Sequence, residues 1–334
     1  NVIRSTLNKS ADEDVISDEA ATITSLTITS EDGVISSLDD LRWLPNLTEL
    51  NIEGQPGLDW SQLSQLASLE TLSLLNCEIS TLDLDVICEL KTIRSLNLSG
   101  NQIASVDAFT SMPVLEYLDI SMNSISSIDA LGGMAALNTL IIRENAVESV
   151  SALYNLPNLT YFDGQDNIIS DLSPLELSTK LEYLNLTRCP VSDISTLSNC
   201  TSLRTLILDF CSVSDISALA DCTALENLSM ESNSVSDISP ITSLTSLQTL
   251  NLTSNALSSL PDMSSMSSLS EVYMSYNSID SVQAFVGMPS LTILNLDYNS
   301  ITSVAALSGC PMLTSLYCFG NDVTDTGSLS YVTI

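Results

Sequence analysis

A motif with the spacing L-x-x-L-x-L-x-x-N recurs along nearly the whole chain. The first clear copy begins at Leu47, and later copies follow every 22 residues, except for one step of 24 between Leu69 and Ile93. A fixed period of this length predicts stacked coils, because each unit can bury its apolar side only against its neighbours. Function is therefore expected on the surface of the stack.

The repeat units can be counted directly from their opening residues. They open at Leu47, Leu69, Ile93, Leu115, Leu137, Leu159, Leu181, Leu203, Leu225, Leu247, Leu269, Leu291 and Leu313. A more degenerate unit begins at Ile23, so the sequence predicts fourteen coils without a globular insertion.

Each unit has the same internal pattern, numbered here from its opening residue as position 1. Positions 4 and 6 are apolar, as in Leu118 and Ile120, and this alternation predicts a short strand whose positions 3, 5 and 7 point outward. The Asn at position 9 is expected to satisfy backbone groups where the chain turns inward, forming a ladder along the stack. Ser173-Pro174 and Ser239-Pro240 predict an N-cap followed by Pro, and the side opposite the strands should be short 3₁₀-like turns.

This pattern resembles the leucine-rich repeat superfamily, and the segment V-S-D-I-S-P-I at 235–241 resembles the 22-residue class found in bacterial internalins and in eukaryotic phosphatase-regulating repeats. The resemblance implies an α/β solenoid, a right-handed horseshoe with a parallel concave β-sheet and a mostly 3₁₀ or irregular convex side. It also implies an N-terminal helical cap over residues 1–22, followed by the solenoid over residues 23–334.

Two short helices are expected within that cap. The apolar residues Val2, Ile3 and Leu7 predict the first, and a second should start near Ser17 as its N-cap. At the other end Leu329 and Val332 still follow the apolar pattern, so we expect the natural chain to continue into a cap or a further domain.

Charge narrows the range of partners. With 9 basic and 41 acidic residues the net charge is −32, which argues against nucleic acid and anionic membrane surfaces, since both need Lys and Arg to neutralise phosphate. Basic proteins or cations are better suited, although an acidic surface also keeps a long repeat protein soluble. No apolar run approaches the ~20 residues of a membrane span.

The composition also bears on catalysis. Histidine is absent, which removes the Ser-His-Asp and Cys-His systems, and an open sheet seldom desolvates a carboxylate pair. We expect neither enzyme activity nor a cofactor.

Four aspartates, Asp171, Asp193, Asp215 and Asp237, share position 13 of four consecutive coils. They could bridge a cation such as Ca²⁺, but capping of each turn by its own Asp is favoured, and no metal site is predicted.

The eight cysteines all fit the repeat pattern. Cys77, Cys189 and Cys211 replace Asn at position 9, Cys200, Cys222 and Cys310 occupy apolar position 20, Cys318 occupies position 6, and Cys88 lies in the longer unit. Neighbouring pairs would have nearly parallel side-chain vectors, which disfavours a disulfide, so free buried thiols are expected.

Outward-facing aromatic residues are the strongest functional signal, because the coil itself does not require them. They form two predicted patches with neighbouring Arg and Ile side chains. The first patch comprises Tyr117, Ile141, Arg143, Tyr161, Tyr183, Arg188, Arg204, Ile207 and Phe210, and the second comprises Tyr273, Tyr276, Tyr298, Tyr317 and Phe319. Tyr and Arg with exposed Ile are typical of a protein interface, but aromatic packing between adjacent strands, or against a following domain, would explain them without a ligand.

Three functions follow from these observations. The leading hypothesis, which the resemblance to internalins favours, is a non-enzymatic protein-binding module of a bacterial cell surface, or secreted, whose concave sheet binds a protein partner from a host or a cell surface. A cytosolic scaffold or phosphatase-regulating subunit is the second, since the chain does not depend on disulfides. A carbohydrate-binding surface protein is the third, because flat aromatics beside Asn, Asp and Arg can also bind sugars.

Overall fold

The computed structural model describes residues 2–10, 12–326 and 329. They form two compact units, one ending at Leu159 and the other beginning at Thr160. The same short motif is repeated within each unit: a β-strand, a tight turn and usually a 3₁₀-helix that leads to the next strand.

In the N-terminal unit, the part of the chain that the structure describes forms three α-helices and six parallel strands. The helices are α1 (Val2–Thr6), α2 (Ser17–Ala20) and α3 (Leu84–Ile87). The strands are β1 (Ser25–Ile28), β2 (Glu49–Glu53), β3 (Thr71–Leu75), β4 (Ser95–Asn97), β5 (Tyr117–Asp119) and β6 (Thr139–Ile141). The 3₁₀-helices span Ser30–Asp32, Asp39–Trp43, Trp60–Gln65, Thr81–Asp83, Asp107–Ser111, Asp129–Gly133 and Ser151–Asn155.

The described residues of the C-terminal unit, 160–326 and 329, form eight parallel strands. They are β7 (Tyr161–Asp163), β8 (Tyr183–Asn185), β9 (Thr205–Ile207), β10 (Asn227–Ser229), β11 (Thr249–Asn251), β12 (Glu271–Tyr273), β13 (Ile293–Asn295) and β14 (Ser315–Tyr317). The 3₁₀-helices span Ser173–Leu175, Ser195–Asn199, Ser217–Asp221, Ser239–Ile241, Gln283–Phe285 and Ala305–Gly309.

Neighbouring strands within each unit pair in register, one repeat apart. Leu228 of β10, for example, lies opposite Leu206 and Leu250 on its two neighbours. The leucines of positions 1, 4 and 6 therefore stack on one another, and nearly all of them are fully buried. The predicted α/β solenoid, with short parallel strands and mainly 3₁₀ connections, is confirmed.

The one long repeat has a structural explanation. The coil between Leu69 and Ile93 contains α3, which directly follows the 3₁₀-helix Thr81–Asp83. An α-helical turn rises only about 1.5 Å per residue, against about 2.0 Å in a 3₁₀-helix, so more residues are needed to cross the same distance. The two extra residues of this coil are accounted for in this way.

A glycine replaces the expected apolar side chain at position 6 of one coil. A Cβ atom on Gly164 would lie 3.0 Å from Ile169 Cδ1, 3.1 Å from Phe162 Cζ and 3.2 Å from Leu186 Cδ2. The large Phe162 ring, which is fully buried, already fills this volume. One bulky residue at position 4 thus compensates for the missing one at position 6.

The predicted asparagine ladder is present. Asn277 Nδ2 donates to the Leu252 carbonyl of the preceding coil at 2.9 Å and to its own Met274 carbonyl at 3.1 Å, while its Oδ1 accepts the Leu257 N–H at 2.9 Å. Other position-9 asparagines, such as Asn123 and Asn299, make the same contacts. These amides join successive coils in the turn after each strand, where they satisfy backbone groups at the turn.

The prediction that Ser173 and Ser239 are N-caps is wrong. Ser173 and Ser239 are the first residues of their 3₁₀-helices, and their N–H groups donate to Asp171 and Asp237, each at 2.8 Å. The Asp side chain performs the capping, because it sits two residues earlier and reaches the free N–H. Ser17 likewise begins α2, and the N-cap is Ile16.

Residues before β1 form the two expected short helices. Glu19 stabilises the start of α2 by accepting the Ile16 N–H at 3.1 Å and forms an ion pair with Lys9 at 2.7 Å. Side chains of α1 and α2, with those of the first coil, line an open cavity of about 650 Å³. The boundary between a cap, residues 1–22, and the solenoid stays a prediction. Within the described part of the chain, no helix combines the length and apolarity needed to cross a bilayer.

Candidate functional site

Outward positions of the strands carry the predicted binding residues, and the turn that ends each strand fixes their placement. At position 5, Asn185 Oδ1 accepts the Thr187 N–H at 3.0 Å, and Asn251 Oδ1 accepts the Thr253 N–H at 3.0 Å. These side chains turn the backbone away from the strand direction after position 7. Several polar residues of the exposed sheet face therefore have a structural role.

The first predicted patch is divided between the two units. Tyr117, Ile141 and Arg143 belong to the N-terminal unit, and the other six residues belong to the C-terminal unit. Each set is described here within its own unit.

In the N-terminal unit, Tyr117 is half-buried on β5 beside the buried carboxylate of Asp119. Asp119 Oδ1 accepts the Ser121 N–H at 2.9 Å. Burial and the Asp119 charge raise the pKa of Tyr117, while the positive charge of Arg143 opposes the shift. Tyr117, Asp119 and Arg143 thus interact electrostatically on one face of the sheet.

In the C-terminal unit, Tyr161 and Tyr183 stack face to face. They lie opposite one another on β7 and β8, with ring centroids 4.0 Å apart and planes inclined by 4°. A stacked aromatic pair contributes about 0.5–1.5 kcal/mol beyond its burial, so it stiffens the sheet, as a purely structural role predicts. It also leaves two rigid phenols partly exposed side by side.

A second contact in this unit involves position 8 of three consecutive coils. Arg188 Nη1 lies 3.3 Å from Asp166 Oδ1, and the Arg188 guanidinium carbon lies 5.5 Å from the centroid of the Phe210 ring. One arginine thus links a carboxylate in the preceding coil to an aromatic ring in the following coil. Cation–π contacts of this kind favour Arg because its planar group can stack on the ring.

Arg204 does not join this cluster. It lies at position 2, before β9, where its guanidinium pairs with Glu226 of the next coil. Ile207 ends β9 and lines a shallow hollow of about 250 Å³, with Asn227, Ser229, Thr249, Asn251 and Tyr273 among the other lining residues. The expected arginine-rich patch is therefore divided even within this unit, because positions 2 and 8 lie at opposite ends of a strand.

Three of the five residues in the second predicted patch form a continuous row of aromatic rings. The rings of Tyr276 and Tyr298 are stacked with centroids 4.5 Å apart, and Phe319 meets Tyr298 edge-on at 5.4 Å. Tyr273 donates from its hydroxyl to Glu271 Oε2 at 3.0 Å, and Tyr317 is exposed on β14. Partial desolvation and the neighbouring Tyr298 phenol raise the pKa of Tyr276.

Sequence reasoning missed the backbone conformation of position 8, where Tyr276 and Tyr298 lie. This position has a positive φ in each coil from the one that opens at Leu47 onward, for example 58° at Arg188, 55° at Phe210 and 55° at Tyr276. The signal was present in the sequence, because Gly54 and Gly100 occupy the same position in other units. Large aromatic side chains are uncommon in this left-handed region.

Each aspartate at position 13 of these coils caps the turn of its own coil. The carboxylates of Asp193, Asp215 and Asp237 each accept the N–H of the serine two residues later at 2.8 Å. These backbone hydrogen bonds, together with those from the serine hydroxyls, hold the pKa of all three carboxyls below its usual value. Among residues 2–10, 12–326 and 329, no group of three His, Cys, Asp or Glu side chains is placed to hold a metal ion.

All eight cysteines are thiols that take no part in a disulfide, and six of them are buried. At position 9 the thiol takes over part of the asparagine role, as Cys189 Sγ donates to the Gly164 carbonyl at 3.3 Å and Cys211 Sγ to the Leu186 carbonyl at 3.3 Å. Burial raises the pKa of Cys189 to about 11 and that of Cys211 to about 12. Such thiols are poorly nucleophilic.

Family models of leucine-rich repeats match several segments of the chain. A model described as leucine-rich repeats in two copies matches residues 91–133, 179–221, 201–243 and 223–265. A second leucine-rich repeat model matches residues 280–323. No curated protein sequence matches the chain significantly.

Solved structures include several with the same fold. An internalin of Listeria monocytogenes, inlF, is 27% identical with a TM-score of 0.86, and the match covers 94% of this chain and 93% of that one. The functional domain of InlJ from the same organism, which includes a cysteine ladder, is 20% identical with a TM-score of 0.79, covering 97% and 69%. A leucine-rich repeat protein of Leptospira interrogans, LIC12759, is 19% identical with a TM-score of 0.79, covering 87% and 77%.

Proposed function

The chain belongs to the leucine-rich repeat superfamily, and on this premise we propose that it is a non-enzymatic protein-binding module of a bacterial cell surface, or secreted. The partner protein binds the exposed, concave face of the sheet. Catalysis is not part of this proposal, because the chain has no histidine and its outward residues are those of an interface.

The stacked pair of Tyr161 and Tyr183 is the observation that carries the proposal. Each ring is partly exposed and is held rigid by the other at 4.0 Å. Rigid aromatic groups lose little conformational entropy on binding, and Tyr is therefore enriched among residues that dominate interface energies. Arg188 and Phe210, which are exposed at position 8 in the same unit, add the other residue types common at interfaces.

A protein partner is favoured over a carbohydrate by the ring geometry. A sugar ring stacks on the flat face of an aromatic side chain, but the facing surfaces of Tyr161 and Tyr183 contact each other. Only ring edges and outer faces are left, and these suit the varied side chains of a protein surface. Carbohydrate binding is kept as an outcome of the test below.

An extracellular location is supported by the resemblance to an internalin over 93% of that protein's length. The cysteines are compatible with an oxidising environment, because burial raises the pKa of Cys88 and Cys200 to about 12 and keeps them protonated. If the protein is instead a cytosolic scaffold, it lies inside the cell. Protease treatment of intact bacteria, followed by immunodetection of the chain, distinguishes the two locations.

The binding proposal is tested with the double variant Tyr161→Ala/Tyr183→Ala on an array of purified extracellular protein domains. The matched control is Asn227→Ala/Thr249→Ala, which changes the same strand position on β10 and β11. We expect the wild type and the control to bind a common protein, and the tyrosine variant to bind it at least tenfold more weakly, since interface tyrosines often contribute more than about 1.4 kcal/mol.

Equal binding by the wild type and the tyrosine variant would refute the assignment of these residues. A glycan array, probed in parallel with wild type and Tyr183→Ala, addresses the carbohydrate alternative. The carbohydrate alternative would be favoured if the wild type bound a glycan but no protein, and if the Tyr183→Ala variant lost that glycan binding. Circular dichroism of both variants confirms that the fold is retained.

A further inference from the structure

The end of the chain has an unusual charge composition. Residues 205–334 include twelve Asp and Glu residues but no Lys, Arg or His, so every charged side chain in this segment is negative. A basic partner is the natural complement of such a surface. Charge alone does not locate a contact, so the position has to come from the aromatic residues.

The chain itself shows how an arginine is held at position 8. Arg188 lies between Asp166, 3.3 Å away, and the ring of Phe210, 5.5 Å away, and these three residues occupy position 8 of consecutive coils. The spacing between strands therefore brings a carboxylate, a guanidinium and an aromatic ring into contact. This arrangement is complete within the protein.

The corresponding row farther along the chain has the aromatic and acidic groups but no guanidinium. Tyr276 and Tyr298 occupy position 8 of consecutive coils and are stacked at 4.5 Å, with Phe319 edge-on to Tyr298. Asp297 lies next to Tyr298 in sequence, and its Oδ1 accepts the Phe319 N–H at 2.6 Å, which ties the carboxylate to the aromatic row.

All three rings are accessible, and two of them, Tyr276 and Tyr298, lie on a strained backbone. Tyr276, Tyr298 and Phe319 are 55%, 42% and 72% exposed. Tyr276 and Tyr298 have φ angles of 55° and 53°, a conformation that costs a residue with a Cβ atom about 1–2 kcal/mol. Serine occupies the same position at Ser232 and Ser254, so the coil does not require an aromatic residue there.

We propose that the aromatic row of Tyr276, Tyr298 and Phe319 is a docking surface for a basic, arginine-bearing segment of a partner protein. A partner guanidinium stacks on an exposed ring and pairs with the carboxylate of Asp297, as Arg188 does with Phe210 and Asp166. Arginine fits better than lysine, because its planar group stacks on rings and pairs with carboxylates at the same time. The inference rests on the proposed protein-binding function and names the chemistry of the partner.

The test measures binding of a fluorescein-labelled peptide of alternating Arg and Gly, and of the matching Lys and Gly peptide, by fluorescence polarisation at 150 mM NaCl. The aromatic variant is Tyr276→Ser/Tyr298→Ser/Phe319→Ser, which leaves the net charge unchanged. Serine already occurs at position 8, the position of the two tyrosines, in Ser232 and Ser254, and at position 7, the position of Phe319, in Ser275. The charge control is Asp215→Asn/Asp237→Asn, which removes two negative charges away from the aromatic row.

We expect the aromatic variant to bind the Arg peptide about tenfold more weakly than wild type, and the charge control to lose less than about threefold. The Lys peptide should bind wild type at least about threefold more weakly than the Arg peptide. If the triple variant fails to fold, the single variant Tyr276→Ser is compared with wild type instead, because Tyr276 is the more exposed of the two tyrosines.

Equal affinity of wild type and the aromatic variant would overturn the inference, as would an equal loss in the charge control, which indicates diffuse attraction only. Absence of peptide binding by wild type would overturn it as well. None of these results affects the Tyr161→Ala/Tyr183→Ala experiment, so failure of this inference and failure of the proposed function are distinguishable.

Discussion

At the scale of single residues, the end of each strand is controlled by two adjacent positions with different requirements. Position 9 needs a side chain that both donates and accepts hydrogen bonds, as Asn277 does. Position 8 needs a backbone with positive φ, which Gly320 adopts without strain at 72°. Gly320 also leaves room for the Tyr298 ring, because a Cβ atom there would lie 2.6 Å from Tyr298 Cδ1.

The substitution Gly320→Ala should lower the midpoint of thermal unfolding more than Gly287→Ala does. Both glycines have positive φ, 72° and 76°, so both variants carry the same backbone cost of about 1 kcal/mol. Only at position 320 does the new methyl group collide with a ring, whereas nothing lies within 4 Å of a Cβ at Gly287. Equal shifts in scanning calorimetry would contradict the ring contact.

At the scale of elements, each connecting turn is stabilised by its own capping carboxylate. Asp193, Asp215 and Asp237 accept a backbone N–H at 2.8 Å, and their pKa values lie below the usual 3.8. A carboxyl whose pKa is lower in the folded state stabilises that state above its unfolded pKa. The contribution is lost as the pH falls through the folded pKa, which lies below about 4.

The variant Asp193→Asn/Asp215→Asn/Asp237→Asn removes this pH dependence, because an amide oxygen accepts the same N–H without a charge. We expect it to unfold at a lower temperature than its control at pH 7, and we expect this difference to shrink as the pH falls through the lowered pKa values of the three carboxyls. The control is Glu148→Gln/Glu176→Gln/Asp280→Asn, which removes three exposed negative charges as well. A difference that persists unchanged at acid pH would contradict capping by the charged form.

At the scale of the whole molecule, electrostatic repulsion opposes folding. The net charge is −32 on 334 residues. The ion pairs of the C-terminal unit, Arg188 with Asp166 and Arg204 with Glu226, are exposed and contribute little, since exposed pairs typically stabilise by about 0–1 kcal/mol. Repulsion among the remaining carboxylates therefore dominates the charge contribution to stability.

Raising NaCl from about 20 mM to about 500 mM should raise the unfolding temperature, because the Debye length falls several-fold and carboxylates are screened from one another. KCl should act equally, since the effect is general screening. A lower unfolding temperature at high salt, measured by calorimetry, would mean that the ion pairs outweigh the repulsion. The same increase in salt should weaken binding of the arginine peptide, so stability and binding respond in opposite directions.

The sequence by itself determined the architecture of the repeat. The 22-residue period, the apolar positions 1, 4 and 6 and the Asn at position 9 specify strand, core and turn, because these depend on contacts that each coil repeats with its neighbour. The extra residues between Leu69 and Ile93 were visible too, but the α-helix that uses them, α3, was not. The sequence also favoured capping of each turn by its own Asp, and Asp171 does accept the Ser173 N–H, whereas the predicted N-cap at Ser173 is absent because Ser173 is already the first helical residue.

Only the tertiary structure decided which outward residues touch. The sequence placed Arg188 and Arg204 in one patch, but one lies at position 8 beside Phe210 and the other at position 2 beside Glu226. Periodicity records which face a residue occupies, whereas a contact also depends on its distance along the strand and on backbone conformation. The positive φ of position 8 turns Tyr276 and Tyr298 into one stacked row, a physical consequence of the turn that spacing alone does not express.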